Sequence, residues 1–316
     1  MANNLTSRAG VYEAYWYFAA ERQQIFLKRL QGAKPPYTND KILQTYKFCN
    51  VFRATDRVSQ FLIRDVIYSG KDSAKDQLFR ILLFRLLNRN QSWLDLEETV
   101  GRVSTLDFSF DRYDRALHAL REKGPIYGNA FILCANKVFG HAEKHRNHLA
   151  LLEHIFIRTE IWKELVAADS LQELFERLRS LPLLGDFMAY QMAIDLNYSE
   201  LFCFSENDFT VAGPGAKRGI AKCFTDVGSL TSADVIQWMV EHQQVEFARL
   251  GLDFGGLFGR PLHAIDCQGL FCETDKYCRV KFPELASNRV RIKASFTENL
   301  QPITYFFPPK WGIEVN

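Results

Sequence analysis

Leu181-Pro-Leu-Leu-Gly-Asp-Phe-Met-Ala-Tyr-Gln-Met-Ala-Ile-Asp195 decides how the chain is read. Ahead of it, Ser170-Leu-Gln-Glu-Leu-Phe-Glu-Arg-Leu-Arg-Ser180 carries apolar residues at helical spacing behind a serine suited to cap a helix start. After Gly185, the residues Phe187, Met188, Gln191, Met192 and Leu196 again recur at about 3.6 residues per turn. Two helices joined by a tight Leu-Pro-Leu-Leu-Gly turn are therefore predicted. Such a turn leaves the first N–H groups of the second helix unpaired and facing outward, an arrangement that suits an anion such as a phosphate.

The next marked stretch is Asp208-Phe-Thr-Val-Ala-Gly-Pro-Gly-Ala-Lys-Arg-Gly219. It reads as a loop in which Gly213, Gly215 and Gly219 let the backbone approach a ligand while Lys217 and Arg218 add positive charge, a phosphate cradle. It is not a P-loop, which needs GxxxxGK[ST] opening a helix; here Lys217 precedes Gly219 and no Ser or Thr follows in place. A P-loop kinase reaction housed in this chain is not supported.

Leu181-Pro-x-x-Gly185-x-x-x-Ala189 followed by Asp208-x-x-Val211 resembles the helix-hairpin-helix and downstream aspartate of the DNA glycosylase superfamily. The resemblance implies that Pro182, Leu184 and Gly185 form a hairpin gripping a DNA phosphate, and that Asp208 assists departure of a base from its sugar. Phe187 stands where members that also cut the backbone carry a lysine, so the resemblance implies no Schiff-base lyase step. Phe209–Ile220, Asp266-x-Gln268, Glu273-Thr-Asp-Lys-Tyr277 and Phe48-Cys-Asn-Val-Phe-Arg-Ala-Thr-Asp-Arg57 are similar to a narrower group. This is the helical domain found with phage 5-hydroxymethyluracil DNA kinases and the alpha-glutamyl/putrescinyl thymine pyrophosphorylases. The likeness runs from about Tyr15 to Phe282 and implies chemistry on modified bases in double-stranded DNA.

Composition sets the outer bounds. With 316 residues and 47% hydrophobic content, the chain can bury one large core or two fused lobes. The expected fold is all-α, a single glycosylase-like unit with lobes near residues 1–165 and 166–316, acting as a monomer. A net charge of +2 confines any nucleic-acid surface to a local patch. Cys49, Cys134, Cys203, Cys223, Cys267, Cys272 and Cys278 form no CxxC pair, which favours a reducing cytoplasm and lacks the fourth short-spaced cysteine of an iron–sulfur site. No signal core or membrane-length apolar run is visible, and no cofactor or metal is expected.

Further helices are predicted at Arg8–Leu30, Val58–Tyr68, Ser73–Asn88, Asp111–Lys123, Ile126–Phe139, His145–Ala167 and Leu230–Leu250, the last with Trp238, Val245 and Phe247 buried. Asn50, Arg53, Asp56, Arg57 and Gln60 form a polar corner able to bind phosphate or a base edge, or to cap and pair within the fold. Asn88, Asn90 or Gln91 can serve as the polar wedge that glycosylases of the resembled fold place behind an extruded base, or as a plain helix end. His141, His145, His148 and His154 lack the acidic residue of HExxH and read as a basic surface helix. Asp266 and Glu273 fall on one helical face with Lys276 beyond; with Gln268 they can bind a polar base, tune Asp208, or form a solvated ion-pair face. The tail with Tyr305-Phe-Phe-Pro-Pro-Lys-Trp311 is too apolar to hang free.

Two enzyme readings follow. One is a monofunctional DNA glycosylase that flips out a modified pyrimidine, uses Asp208 to stabilise charge on the sugar and leaves an abasic site, a role suited to anti-phage defence. The other is a transferase of thymine hypermodification, in which an amine displaces the (pyro)phosphate of a phosphorylated 5-hydroxymethyluracil in DNA. A DNA-binding module without chemistry is the third class.

Overall fold

The structure, a computed structural model, describes residues 5–130, 136–285, 289–299 and 301–314. Among these the chain is all-α. Its first helices are α1 (Val11–Leu30), α2 (Lys41–Thr45), α3 (Arg57–Phe61), α4 (Ala74–Leu87), α5 (Asn90–Val100), α6 (Phe110–Lys123) and α7 (Lys144–Glu153). The remainder are α8 (Ile161–Val166), α9 (Leu171–Arg179), α10 (Asp186–Asn197), α11 (Pro214–Cys223), α12 (Ser232–Arg249) and α13 (Ala264–Lys281). Two short strands, β1 (Thr6–Ser7) and β2 (Phe224–Asp226), pair antiparallel.

The chain forms two compact units, each assembled from separate stretches of sequence: Met1–Asp56 with Glu206–Ile303, and Arg57–Ser205 with Thr304–Asn316. This differs from the division expected near residues 165 and 166, which falls inside the second unit. The physical reason is the amphipathic α9. Its buried Leu171, Leu174 and Leu178 need cover, and α8 and α10 supply it, while α10 also packs on α4 of the same unit.

In the first unit α1 is the spine. Tyr15, Trp16 and Phe18 are fully buried and meet Phe271, Phe247 and Tyr277 from α12 and α13 at ring distances of 4.7, 5.0 and 5.6 Å. The pairings are edge-on or tilted, as aromatic quadrupoles prefer. Helix α11 lies so close to α13 that a Cβ on Gly219 would overlap the Phe271 carbonyl oxygen, and one on Gly215 the Cys272 Sγ.

In the second unit α4 is the buried centre, as its uniform apolarity predicts. Every residue from Leu78 to Leu87 is buried, Ser73 Oγ accepts from Asp76 N–H (3.1 Å), and Asn88 ends the helix in the left-handed region at φ 50°. Helices α9 and α10 form the predicted pair joined by a tight turn; Ser170 caps α9 by accepting from Glu173 N–H (3.1 Å). The tail packs back: Lys310 Nζ donates to the carbonyls of Ser199 (2.7 Å) and Phe202 (2.6 Å), which follow α10.

Some local expectations fail. Residues 126–130 and 136–139 are not helical, and the middle of that predicted helix, with Cys134, lies outside the described residues. The predicted helix His145–Ala167 is broken, because a π turn (His154–Arg158) and an extended Thr159 separate α7 from α8. The seven-histidine chain's expected surface helix is largely internal, with His145 and His148 at 1% and 3% exposure. Thr231 caps α12, with Asp234 closing the reciprocal box, and Val245 is exposed instead of buried.

Candidate active site on the first unit

The segment from Cys49 to Asp56 has almost no regular structure of its own, so its backbone donors turn to side chains. Cys49 N–H donates to Glu273 Oε2 (3.0 Å), Asn50 N–H to Asp56 Oδ1 (2.9 Å) and Arg53 N–H to Asp266 Oδ1 (3.3 Å). Asp266 and Glu273 can both reach it because they share one face of α13, as their spacing predicts. From α1, Arg22 closes the other side: its Nε donates to the Cys49 carbonyl (3.1 Å) and its Nη2 to Asn50 Oδ1. Arg22 Nη1 is buried with no hydrogen-bond partner among the described residues. Lys276 pairs with Glu273 (2.6 Å) and stands 4.7 Å from the centre of the Phe48 ring.

A second group of charges adjoins Asp266. Glu206 is 4% exposed; its Oε2 accepts from Arg260 Nη2 (2.8 Å) and faces His263 Nδ1 (3.0 Å), while its Oε1 has no partner among the described residues. His263 N–H in turn donates to Asp266 Oδ2 (3.1 Å). Burial alone would raise Glu206, but the His263 and Arg260 contacts outweigh it and hold the carboxyl below its ordinary range. Asp266 goes the other way: burial, then the nearby Glu206 charge, pushes it up to about 6. Burial also pushes Asp56 up to about 6, with Arg22 opposing. The result is one carboxylate kept ionised beside carboxyls that titrate near neutrality, the separation that assigns different proton duties to chemically similar groups.

Arg22 and Phe48 also line a cleft of about 400 Å³ walled by Tyr37, Tyr46 and Phe296, with Arg29 at its edge. Aromatic walls with arginines suit a planar base carrying anionic groups.

The structure thus gathers Asn50, Arg53, Asp56, Asp266, Glu273 and Lys276 at one place. Gln268 is buried on the same helix, and no hydrogen bond among the described residues ties it to that place. Gly213, Gly215, Lys217 and Arg218 do not form a loop: Gly213 precedes α11 and the other three lie within it. Gly215 and Gly219 are there for close packing on α13, and Arg218 is paired with the buried Asp275 (3.2 Å), so of the expected cradle Lys217 alone is an exposed cation. Asp208 is exposed on the turn after Glu206. In the second unit, Gly185 precedes α10 without a side-chain cap and Leu184 is buried beneath the turn. Asn88 is not a free wedge: its amide accepts from Arg85 Nη1 (2.7 Å) and donates to the Ala130 carbonyl (2.7 Å). Gln91 is exposed and donates to Asp95 (2.6 Å).

Sequence reasoning missed Arg22, Glu206, Arg260 and His263. Arg22 had a signal, for it falls on the same helical face as Phe18 and Phe26, where a charge needs a buried partner. The other three stand in irregular stretches without periodicity.

In an all-α frame the chain thus sets a buried arginine and carboxylates beside an aromatic cleft. The chain belongs to the 5-hmdU DNA kinase helical-domain family, whose model matches residues 9–287 and so takes in every residue of this centre. A 5-hmdU DNA kinase of Bacillus phage SP10 is 28% identical over 288 residues, covering 84% of this chain and 45% of the phage protein. The chain therefore spans less than half the length of that relative. No solved structure matches it. Among the described residues no helix is long and apolar enough to cross a membrane.

Proposed function

We propose that this chain holds a 5-substituted pyrimidine of DNA and acts as a transferase at the oxygen-bearing carbon of that substituent, within thymine hypermodification. The observation that carries the reading is Asp56, a carboxyl pushed up to about 6 and set beside Arg22 at the end of the Cys49–Asp56 segment. Such a group is ionised at neutral pH yet basic enough to take a proton in the reaction. Family membership supports the substrate class proposed here, a modified deoxyuridine in DNA. The resemblance of Phe209–Ile220 and Phe48–Arg57 to the thymine pyrophosphorylases favours displacement of a (pyro)phosphate already on the base.

In that step an amine attacks the 5-methylene carbon. The C–N bond forms as the C–O bond to the (pyro)phosphate breaks, the leaving group departs as its anion, and the amine proton passes to the Asp56 carboxylate. Arg22 Nη1 receives the leaving anion. Gly185 at the start of α10 and Lys217 on α11 supply backbone-phosphate contacts to the DNA.

The test is incubation with duplex DNA carrying a pyrophosphorylated 5-hydroxymethyluracil and an amine, an amino acid or putrescine, read by mass spectrometry of the nucleosides. The expected product is the amine adduct with release of pyrophosphate, and Asp56→Asn should lower the rate by roughly 10²–10⁴-fold while duplex binding is kept. Abasic sites in place of adduct would overturn transfer and move the chemistry to excision, with the exposed Asp208 as its carboxylate. Binding with neither product would leave a recognition module.

A further inference from the structure

We infer that the second unit carries a divalent transition-metal site between α6 and α7, with His118, Glu143 and His145 as ligands and Zn²⁺ as the fitting ion. One donor atom from each of the three side chains lies within 4.8 Å of the others. His118 projects from α6, Glu143 immediately precedes α7, and His145 lies in its first turn. His145 Nε2 is 3.8 Å from Glu143 Oε2, and His118 Nδ1 is 4.0 Å from Glu143 Oε1. Ligands of a tetrahedral zinc, at bond lengths of about 2.0–2.1 Å, stand roughly 3.4 Å apart. Side-chain rotation at the exposed His118 and half-buried Glu143 brings the set to that spacing.

The donor chemistry is selective. Two imidazoles with a carboxylate suit zinc and its neighbours, whereas calcium and magnesium prefer oxygen alone. Asp114 Oδ1, 3.0 Å from His145 Nε2, stands ready as a fourth ligand. The far nitrogen of His118 faces Glu122 at 3.6 Å, the carboxylate–histidine arrangement that steadies a metal-bound ring.

Two cations compete. Arg121 Nη1 pairs with Glu143 Oε1 (2.6 Å), and Arg146 Nε lies 3.5 Å from Asp114 Oδ1. A metal ion must displace Arg121 from Glu143, which makes this a weaker site than a closed thiolate one. When filled, it would clip together the two ends of the connection from Lys123 to Lys144, in which the described residues form neither helix nor strand.

The untagged chain is dialysed against Zn²⁺ and its metal content read by plasma mass spectrometry, with Co²⁺ as a visible-absorption probe of tetrahedral geometry. Expected are one Zn²⁺ per chain, a loss of affinity of about 10–100-fold in His118→Ala and Glu143→Gln, and a gain in Arg121→Gln, which frees Glu143 from its competitor. His118 is exposed, so its removal leaves the core intact. No uptake, uptake that survives His118→Ala, or uptake that Arg121→Gln weakens would overturn the assignment.

Discussion

Helices α10 and α11 both start behind a glycine that offers no side-chain cap, Gly185 in one case and Gly213 in the other, and in the sequence both look like seats for phosphate. Their surroundings differ. Within α11, Gly215 and Gly219 are held against α13 with no room for a methyl group, and Arg218 is taken by Asp275. At Gly185 an added Cβ meets nothing within 4 Å, and a φ of −91° is open to any residue. The glycines of α11 are explained by the fold; the fold supplies no reason for Gly185. Glycine and charge in a sequence do not separate these cases, because what decides them is a partner helix far along the chain.

The largest effect expected from this contrast is at Gly219. Alanine there drives Cβ into the Phe271 carbonyl, a backbone atom that cannot turn aside, and should cost about 3 kcal/mol or more in chemical denaturation. Next is Asp275, fully buried among Arg218, Lys222 (3.0 Å) and Arg279 (2.6 Å). Asp275→Asn leaves three cations uncompensated, for a loss of roughly 3 kcal/mol at neutral pH. Burial would raise this carboxyl, but Arg279 and Lys222 hold it low. Its contribution is therefore present above about pH 4 and lost as pH falls through the folded value, so the gap between variant and wild type should close in acid. Gly215→Ala comes third, at about 1–2 kcal/mol, because its obstacle is the Cys272 Sγ, which can rotate. Cys272→Ala should recover most of that loss in a double-mutant cycle, and failure to do so would break the packing account of this glycine.

The same contrast between saturated and open groups separates the acids. Asp275 is surrounded by cations and lowered; Asp56 is raised to about 6 by burial, with Arg22 only partly offsetting it. A folded value above the unfolded one of about 3.9 means that the Asp56 contribution is present in acid and lost as pH rises towards 6. Asp56→Asn should therefore gain on the wild type by about 2 kcal/mol between pH 4 and 7, measured as midpoint shifts in urea. A flat difference across that range would remove Asp56 as the residue poised for proton transfer.

Helix periodicity carried much of the fold into view. Apolar spacing located α1, α4, α6, α9 and α10, and Ser170 acts as the cap its position predicts. What periodicity could not convey was long-range closure. The first unit joins residues before Asp56 to residues after Glu206, and nothing local to either stretch records that. The site divides along the same line. Asp266, Glu273 and Lys276 were legible because one helix face presents them together, and the corner from Asn50 to Asp56 because its polar side chains cluster in sequence. Glu206 and His263 meet through tertiary structure alone, at 3.0 Å, and the histidines of α7 looked superficial because charged neighbours mask a buried face.

The smallest expected change in stability, at Gly185, is the one that bears most on function. Alanine there has open space and a permitted backbone, so denaturation should move by less than about 0.5 kcal/mol. The first amides of α10 already face an acidic neighbour, because Asp186 opens the helix, although Arg179 pairs with it and offsets that charge. A DNA phosphate drawn to those amides would lie against Gly185, where a methyl group intrudes and weakens duplex binding without unfolding the protein. Lys217→Gln provides the calibration, since losing one phosphate contact should lower the slope of log affinity against log salt by about 1. If Gly185→Ala leaves both stability and duplex affinity untouched while Lys217→Gln changes the slope, the start of α10 is a plain helix corner, and DNA contact belongs to the first unit.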